Sequence, residues 1–120
     1  IEDFGVGFFT KYGDGGVDVS PIGDLYKSEV YEVGRYLGVL PEILQAAPTD
    51  GLFGDDRTDE DQLGATYDEL EWAMRLVESG AEETHLTPRQ SQVLAIFKRL
   101  NKANQHKMIP IPVCRVKNEE

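Results

Sequence analysis

The sequence has 120 residues, 40% of them apolar, and a formal net charge of −10 from 22 acidic and 12 basic side chains. That supports one modest domain and not two, and the acidic balance argues against a general nucleic-acid binder, whose affinity rests on neutralising phosphates. No apolar run reaches the roughly 18 residues of a membrane span, no basic-then-apolar export signal opens the chain, and the single Cys114 with two histidines weighs against a disulfide framework or a dedicated zinc cage.

In chain order, the first segment, EDFGVGFF at 2–9, is apolar but carries two glycines, so helix and strand compete there. KYGDGG at 11–16 is a turn, and VDV at 17–19 alternates as a short strand that Ser20-Pro21 stops. A helix follows, with Asp24 as its N-cap, Tyr26, Val30, Val33 and Leu37 on one face, and Gly38 as its end. Pro41 opens a short helical turn, PEILQA. Residues 48–66 are rich in glycine and acid and read as a long loop, of the kind that is usually functional or mobile. Inside it, Thr58 and Asp61 cap one short turn. Thr66 or Tyr67 to Val77 forms an amphipathic helix with Leu70, Ala73, Met74 and Val77 inside, and Gly80 stops it. Thr87-Pro88 opens the longest helix, whose buried stripe is Val93, Ile96, Phe97, Leu100 and Ala103. IPIPVCRVK, alternating proline with β-branched residues, is an extended arm.

Charge is segregated. Residues 1–83 hold 20 acids and 5 bases, whereas residues 84–120 hold 2 acids and 7 bases. The basic tail can dock on the acidic body, meet a second subunit or receive an anionic ligand. Two lysines sit where local physics disfavours them. Lys27 falls at the third helical position after Asp24, where the helix dipole opposes a cation; an anion cradled by the same N–H groups would explain it, a solvated lysine being the plainer account. Lys107 continues the apolar stripe past residue 103, beside His106, Asn104 and Gln105. It is either a cation suited to a helix C-terminus or part of a basic recognition tip. Lys11, Asp14 and Asp18 bracket the glycine turn without the spacing of either common phosphate loop. The acids at 55–61 lack the spacing of a calcium loop. Tyr67 and Trp72 read as core or helix-edge residues.

Taken together, GFFTKYGDGGVDVSPIGDLYKSEVYEVGRYLGV resembles the characteristic stretch of NAD synthetases, and the likeness continues through APTDGLF, RTDEDQLGATYDELEWAM and ANQHKMIPIPV. The resemblance is nearest to the short, ammonia-dependent form. It implies a Rossmann-like α/β parent of the adenine nucleotide alpha-hydrolase type. Residues 1–120 would be the C-terminal part of its single domain, mostly α with one short strand. The family's Ser-Gly-Gly-x-Asp-Ser pyrophosphate loop is nowhere in the sequence and is expected upstream in a longer chain. The implied reaction amidates deamido-NAD with ammonia, free or derived from glutamine, splits ATP into AMP and pyrophosphate, and uses Mg2+. The resemblance also implies a cytoplasmic homodimer with no nucleic-acid or membrane partner.

Matched position by position, Lys27 and Thr49 correspond to ATP contacts, and Lys11, Asp18, His106 and Lys107 to deamido-NAD contacts. Glu2 corresponds to a magnesium ligand when counted from upstream, while counting back from Lys11 gives Asp3. The alternative reading is a non-enzymatic, acidic helical interaction module with a basic C-terminal arm. If the sheet of such a parent lies outside these residues, Leu25, Tyr26, Val30 and Val33 are the side chains expected to lack a packing partner.

Overall fold

A computed structural model describes residues 1–49 and 57–116. Among them lie seven helices and no strand: α1 (Glu2–Val6), α2 (Lys27–Tyr36), α3 (Pro41–Gln45), α4 (Asp59–Leu63), α5 (Tyr67–Ser79), α6 (Pro88–Ala103) and α7 (Gln105–Met108). The strand expected at 17–19 does not form. Strand backbone needs a ladder to satisfy its N–H and C=O groups; no second segment bridges this one among the described residues, and Val17 and Val19 are exposed. Part of the acidic loop, residues 50–56, lies outside the described residues, and with it Asp55 and Asp56 of the acid run.

Local capping explains where α4, α5 and α6 begin. Thr58, Thr66 and Thr87 each accept the N–H three residues on, and Asp61, Glu69 and Gln90 return a side-chain oxygen to the capping residue's own N–H. Pro41 and Pro88 occupy first helical positions, where a missing N–H costs nothing. The start of α2 differs from expectation. Its cap is Tyr26, not Asp24, and Lys27 is its first helical residue. Two carboxylates account for the shift: Glu29 accepts from the Tyr26 N–H at 2.8 Å, and Glu2 of α1 accepts from the Lys27 N–H through both oxygens, at 3.1 and 3.0 Å. With those donors satisfied, Asp24 has no cap to make and lies in the preceding turn.

The core lies where α1, α5 and α6 meet, built from Val6, Leu70, Ala73, Met74, Val93, Leu94 and Phe97. Glycine is what lets α1 in. A Cβ on Gly5 would come within 2.3 Å of the Met74 methyl, and one on Gly7, whose φ is +71°, within 2.2 Å of Asn104 Cβ. The two glycines that blurred the sequence pattern are therefore one close-packed helix residue and one left-handed helix stop. The stripe on α6 is turned from the expected one: Leu94 is buried, Ile96 is half-buried and Ala103 is exposed. The rotation points Asn101 and Asn104 at α1, where their amides donate to Gly5 O at 2.8 Å and Val6 O at 3.0 Å. The last carbonyls of a helix need such donors. The expected inner residue Val77 of α5 is likewise exposed, and Tyr67 takes a place inside.

Candidate functional site

A cavity of about 540 Å³ opens between α1, the glycine turn, the start of α2 and the start of α5. Of the polar residues singled out from sequence, Glu2, Asp3, Asp14, Lys27, Tyr67 and Lys107 line it; Lys11, Asp18, Thr49 and His106 are not on its wall. Phe4 and Phe9 also line it and stack on one another, ring centroids 5.7 Å apart and nearly parallel. Aromatic and aliphatic side chains with a few convergent charges are the usual composition of a small-molecule site.

Each charged group on this wall has a distinct environment. Glu2 is 2% exposed, and both its oxygens accept the Lys27 N–H. Burial pushes its carboxyl above the ordinary carboxylate value, and backbone N–H groups partly offset the shift. Its carboxylate sits on the first N–H of α2, so the free anion cradle inferred from sequence is already filled by the protein at that position. Asp3 is half-buried, and its Oδ1 accepts from the Tyr67 hydroxyl at 2.7 Å. Burial, followed by that bond to Asp3, pushes the Tyr67 phenol upward and keeps it a donor.

Lys27 and Lys107, the two misplaced lysines, have opposite fates. Lys107 Nζ donates to Gly7 O and Phe9 O, both at 2.8 Å, and lies over the Phe9 ring at 5.6 Å. It straps the exit of α1 to α7. Lys27 Nζ lies 5.5 Å from the Tyr31 ring centroid and 5.6 Å from that of Tyr67. Among the described residues no carboxylate pairs with it. It is a cation held on the cavity wall by ring faces, with no direct ion pair among the described residues.

The remaining sequence candidates lie elsewhere. Lys11 Nζ lies over the Tyr12 ring at 5.5 Å. Asp18, Thr49 and His106 are exposed. Asp14, by contrast, does line the cavity while also serving the turn, accepting from Thr10 N–H at 3.2 Å. Tyr26, expected to lack a partner, is buried, with the Arg75 guanidinium 4.3 Å from its ring and its hydroxyl donating to Glu78 at 3.4 Å. The residue that sequence reasoning missed is Tyr67. Its one visible signal was a phenol at the first position after a Thr cap: a buried tyrosine must find a partner for its hydroxyl.

A hard divalent cation takes carboxylate oxygens, and Mg2+ is commonly held by one or two of them together with substrate phosphates. Among the described residues no cluster of three potential ligands is present, so a cage made of protein alone is not what these residues offer. Asp3 fits the shared arrangement, since among the described residues only its Oδ1 is engaged, whereas both oxygens of Glu2 already accept.

One cavity thus brings together the carboxylates of Glu2, Asp3 and Asp14, the ammoniums of Lys27 and Lys107, and the stacked Phe4 and Phe9 rings. The sequence pattern described as NAD synthase matches residues 2–110, and the chain belongs to that family. It is 46% identical over 107 residues to an NH3-dependent NAD+ synthetase of Methanococcoides burtonii, covering 85% of this chain and 40% of that protein. It is 42% identical over 113 residues to one from Archaeoglobus fulgidus, covering 94% and 43%. A Mesoplasma florum protein of the same name is 48% identical over 71 residues, 59% of this chain and 29% of that protein. The chain thus spans about two fifths of the first two relatives. None of these comparisons supports the interaction-module reading. No helix among the described residues is long and apolar enough to cross a membrane.

Proposed function

We propose that the whole protein carrying these residues is an ammonia-dependent NAD synthetase, a ligase that amidates deamido-NAD at the expense of ATP. Membership of the NAD synthase family across residues 2–110 supports the reaction class, and the observation that carries the site is the Lys27 ammonium on the cavity wall, without an ion pair among the described residues. In the first step an oxygen of the nicotinate carboxylate bonds to the α-phosphorus of ATP, the α–β anhydride breaks, and pyrophosphate leaves. In the second, ammonia bonds to the activated carbonyl carbon, the carbon–oxygen bond to AMP breaks, and the nitrogen gives up a proton to solvent.

Lys27 holds phosphate oxygens and offsets their charge as pyrophosphate departs, which is stabilisation placed where charge develops. Asp3 is the carboxylate on this wall for Mg2+, which when bound neutralises the phosphates further. Glu2 sets the start of α2, and through it Lys27. Thr49 belongs to the ATP contacts on the family correspondence, and Lys11, Asp18, His106 and Lys107 to those of deamido-NAD. Apart from Lys107, whose ammonium keeps one N–H beyond the two carbonyls it serves, they lie off the described cavity, as expected for a long dinucleotide reaching beyond one pocket. The same reading carries a cytoplasmic homodimer.

The test is direct. Given ATP, Mg2+, deamido-NAD and ammonia, the whole protein is expected to form NAD, AMP and pyrophosphate in equal amounts. AMP without NAD, or no turnover with ammonia, contradicts the assignment. The 120-residue chain alone is expected to be inactive, because its sequence contains no Ser-Gly-Gly-x-Asp-Ser loop to grip pyrophosphate.

A further inference from the structure

Tyr67 is the first residue of α5 and is held from both sides. Its backbone N–H donates to Glu60 Oε2 at 2.9 Å, and Thr66 before it is locked into the capping box with Glu69. Its side chain is 6% exposed, yet the hydroxyl is not spent on α5 or the core. It crosses to α1 and donates to Asp3 Oδ1 at 2.7 Å. One face of the same ring lies 5.6 Å from Lys27 Nζ, and Tyr31, one turn along α2, presents its own ring to that ammonium at 5.5 Å. One buried side chain therefore meets two of the wall's charged groups, the Asp3 carboxylate by its O–H and the Lys27 ammonium by its face.

The two contacts differ in kind. A hydrogen bond to Oδ1 fixes the plane of the carboxylate and leaves the other oxygen's lone pairs for a cation. A ring face attracts an ammonium without accepting its protons, so all three N–H donors remain for an anion. We propose that Tyr67, with Tyr31 assisting, is a positioning residue for the polyphosphate end of the nucleotide, orienting Asp3 through its hydroxyl and Lys27 through its ring. The proposal rests on the nucleotide reading given above.

Calorimetric titration of the whole protein with ATP, once with excess Mg2+ and once with chelator, separates the two arms. Tyr67→Phe keeps the ring and loses the hydroxyl. Its affinity for metal-free ATP is expected to stay within about twofold of wild type, while its affinity for Mg2+-ATP falls about tenfold, as when a metal ligand loses its orienting partner. Tyr67→Leu removes both contacts and is expected to weaken metal-free ATP by about three- to twentyfold. Should Tyr67→Leu fail to fold, Tyr31→Leu, on the half-buried side of α2, carries the ring arm, with about two- to tenfold weaker metal-free ATP. Equal affinities across wild type and variants overturn the proposal. So does a Tyr67→Phe protein that loses metal-free ATP as severely as Tyr67→Leu, since that pattern marks Tyr67 as a fold residue. Wild-type protein that binds no ATP under either condition sinks the underlying nucleotide reading instead, and is recognised without any variant.

Discussion

Lys107 and Lys27 illustrate how one anomaly divides once side chains are placed. Both are cations where apolar pattern or helix dipole disfavours them, and sequence allowed a ligand-binding or a structural account for each. Lys107 is spent on two carbonyls after α1. Lys107→Met should lower the stability of the whole protein by about 1–3 kcal/mol, the usual worth of hydrogen bonds from a charged donor, and thermal unfolding reads it. Glu2 gives a second prediction at this scale. Its carboxyl is raised by burial above its ordinary 4.5, so the folded state binds that proton more tightly than the unfolded state. Its contribution to stability therefore falls as pH rises from 4.5 through the raised folded value, and is flat above it. The melting temperature of wild type relative to Glu2→Gln should decline across that interval; a constant difference contradicts the assignment. Which of Glu2 and Asp3 faces outward was not legible in sequence, because neighbouring residues on one helical turn differ only in what packs beside them.

Elements were legible where caps and breakers spell them out. Thr58-Asp61, the Pro41 and Pro88 starts and the Gly80 stop are local chemistry, and the helices begin and end there. Three elements were misjudged because distant residues decide them. The start of α2 moved to Lys27 under the pull of Glu2, 25 residues away along the chain. The inner face of α6 keeps the expected Val93 and Phe97 but also takes in Leu94, and farther along Asn101 and Asn104 serve carbonyls of α1. The segment 17–19 has strand-like residues but no bridging neighbour, and propensity alone does not make a ladder. Thr66→Ala tests the capping argument: it should cost about 0.5–2 kcal/mol and loosen Tyr67 at the following position, seen as faster amide exchange in the first turn of α5. Gly7→Ala should be worse than an ordinary surface change, by about 1–3 kcal/mol, because it combines a left-handed backbone with a clash against Asn104.

On the scale of the whole molecule, the accessible surface is 9072 Å², well above the roughly 6,500 Å² of a compact monomer of this mass. Large apolar side chains contribute to it: Val33, Tyr36, Leu37, Leu40 and Ile43, on and around α2 and α3, are all exposed. Patches of this kind are seldom left bare in a stable monomer. The 120-residue chain alone is therefore expected to self-associate, measured by sedimentation velocity across a concentration series; a strictly monomeric species at all concentrations contradicts this. The family correspondence reached this scale from sequence through ordered motifs covering nearly the whole chain. The cavity itself did not, since its wall is assembled from α1, α2, α5 and α7, up to about a hundred positions apart.

The central claim is that the Lys27 ammonium binds ATP phosphate, and the efficiency of Lys27→Ala in the whole protein at limiting ATP tests it most directly. Loss of a charge-assisted contact predicts a fall in kcat/KM for ATP of about tenfold to a hundredfold, with the melting temperature unchanged or slightly higher because a cation has left the first turn of α2. Lys27→Arg should recover only part of the loss, its fork reaching differently between the Tyr31 and Tyr67 rings. Wild-type kcat/KM for ATP in Lys27→Ala would remove Lys27 from the site.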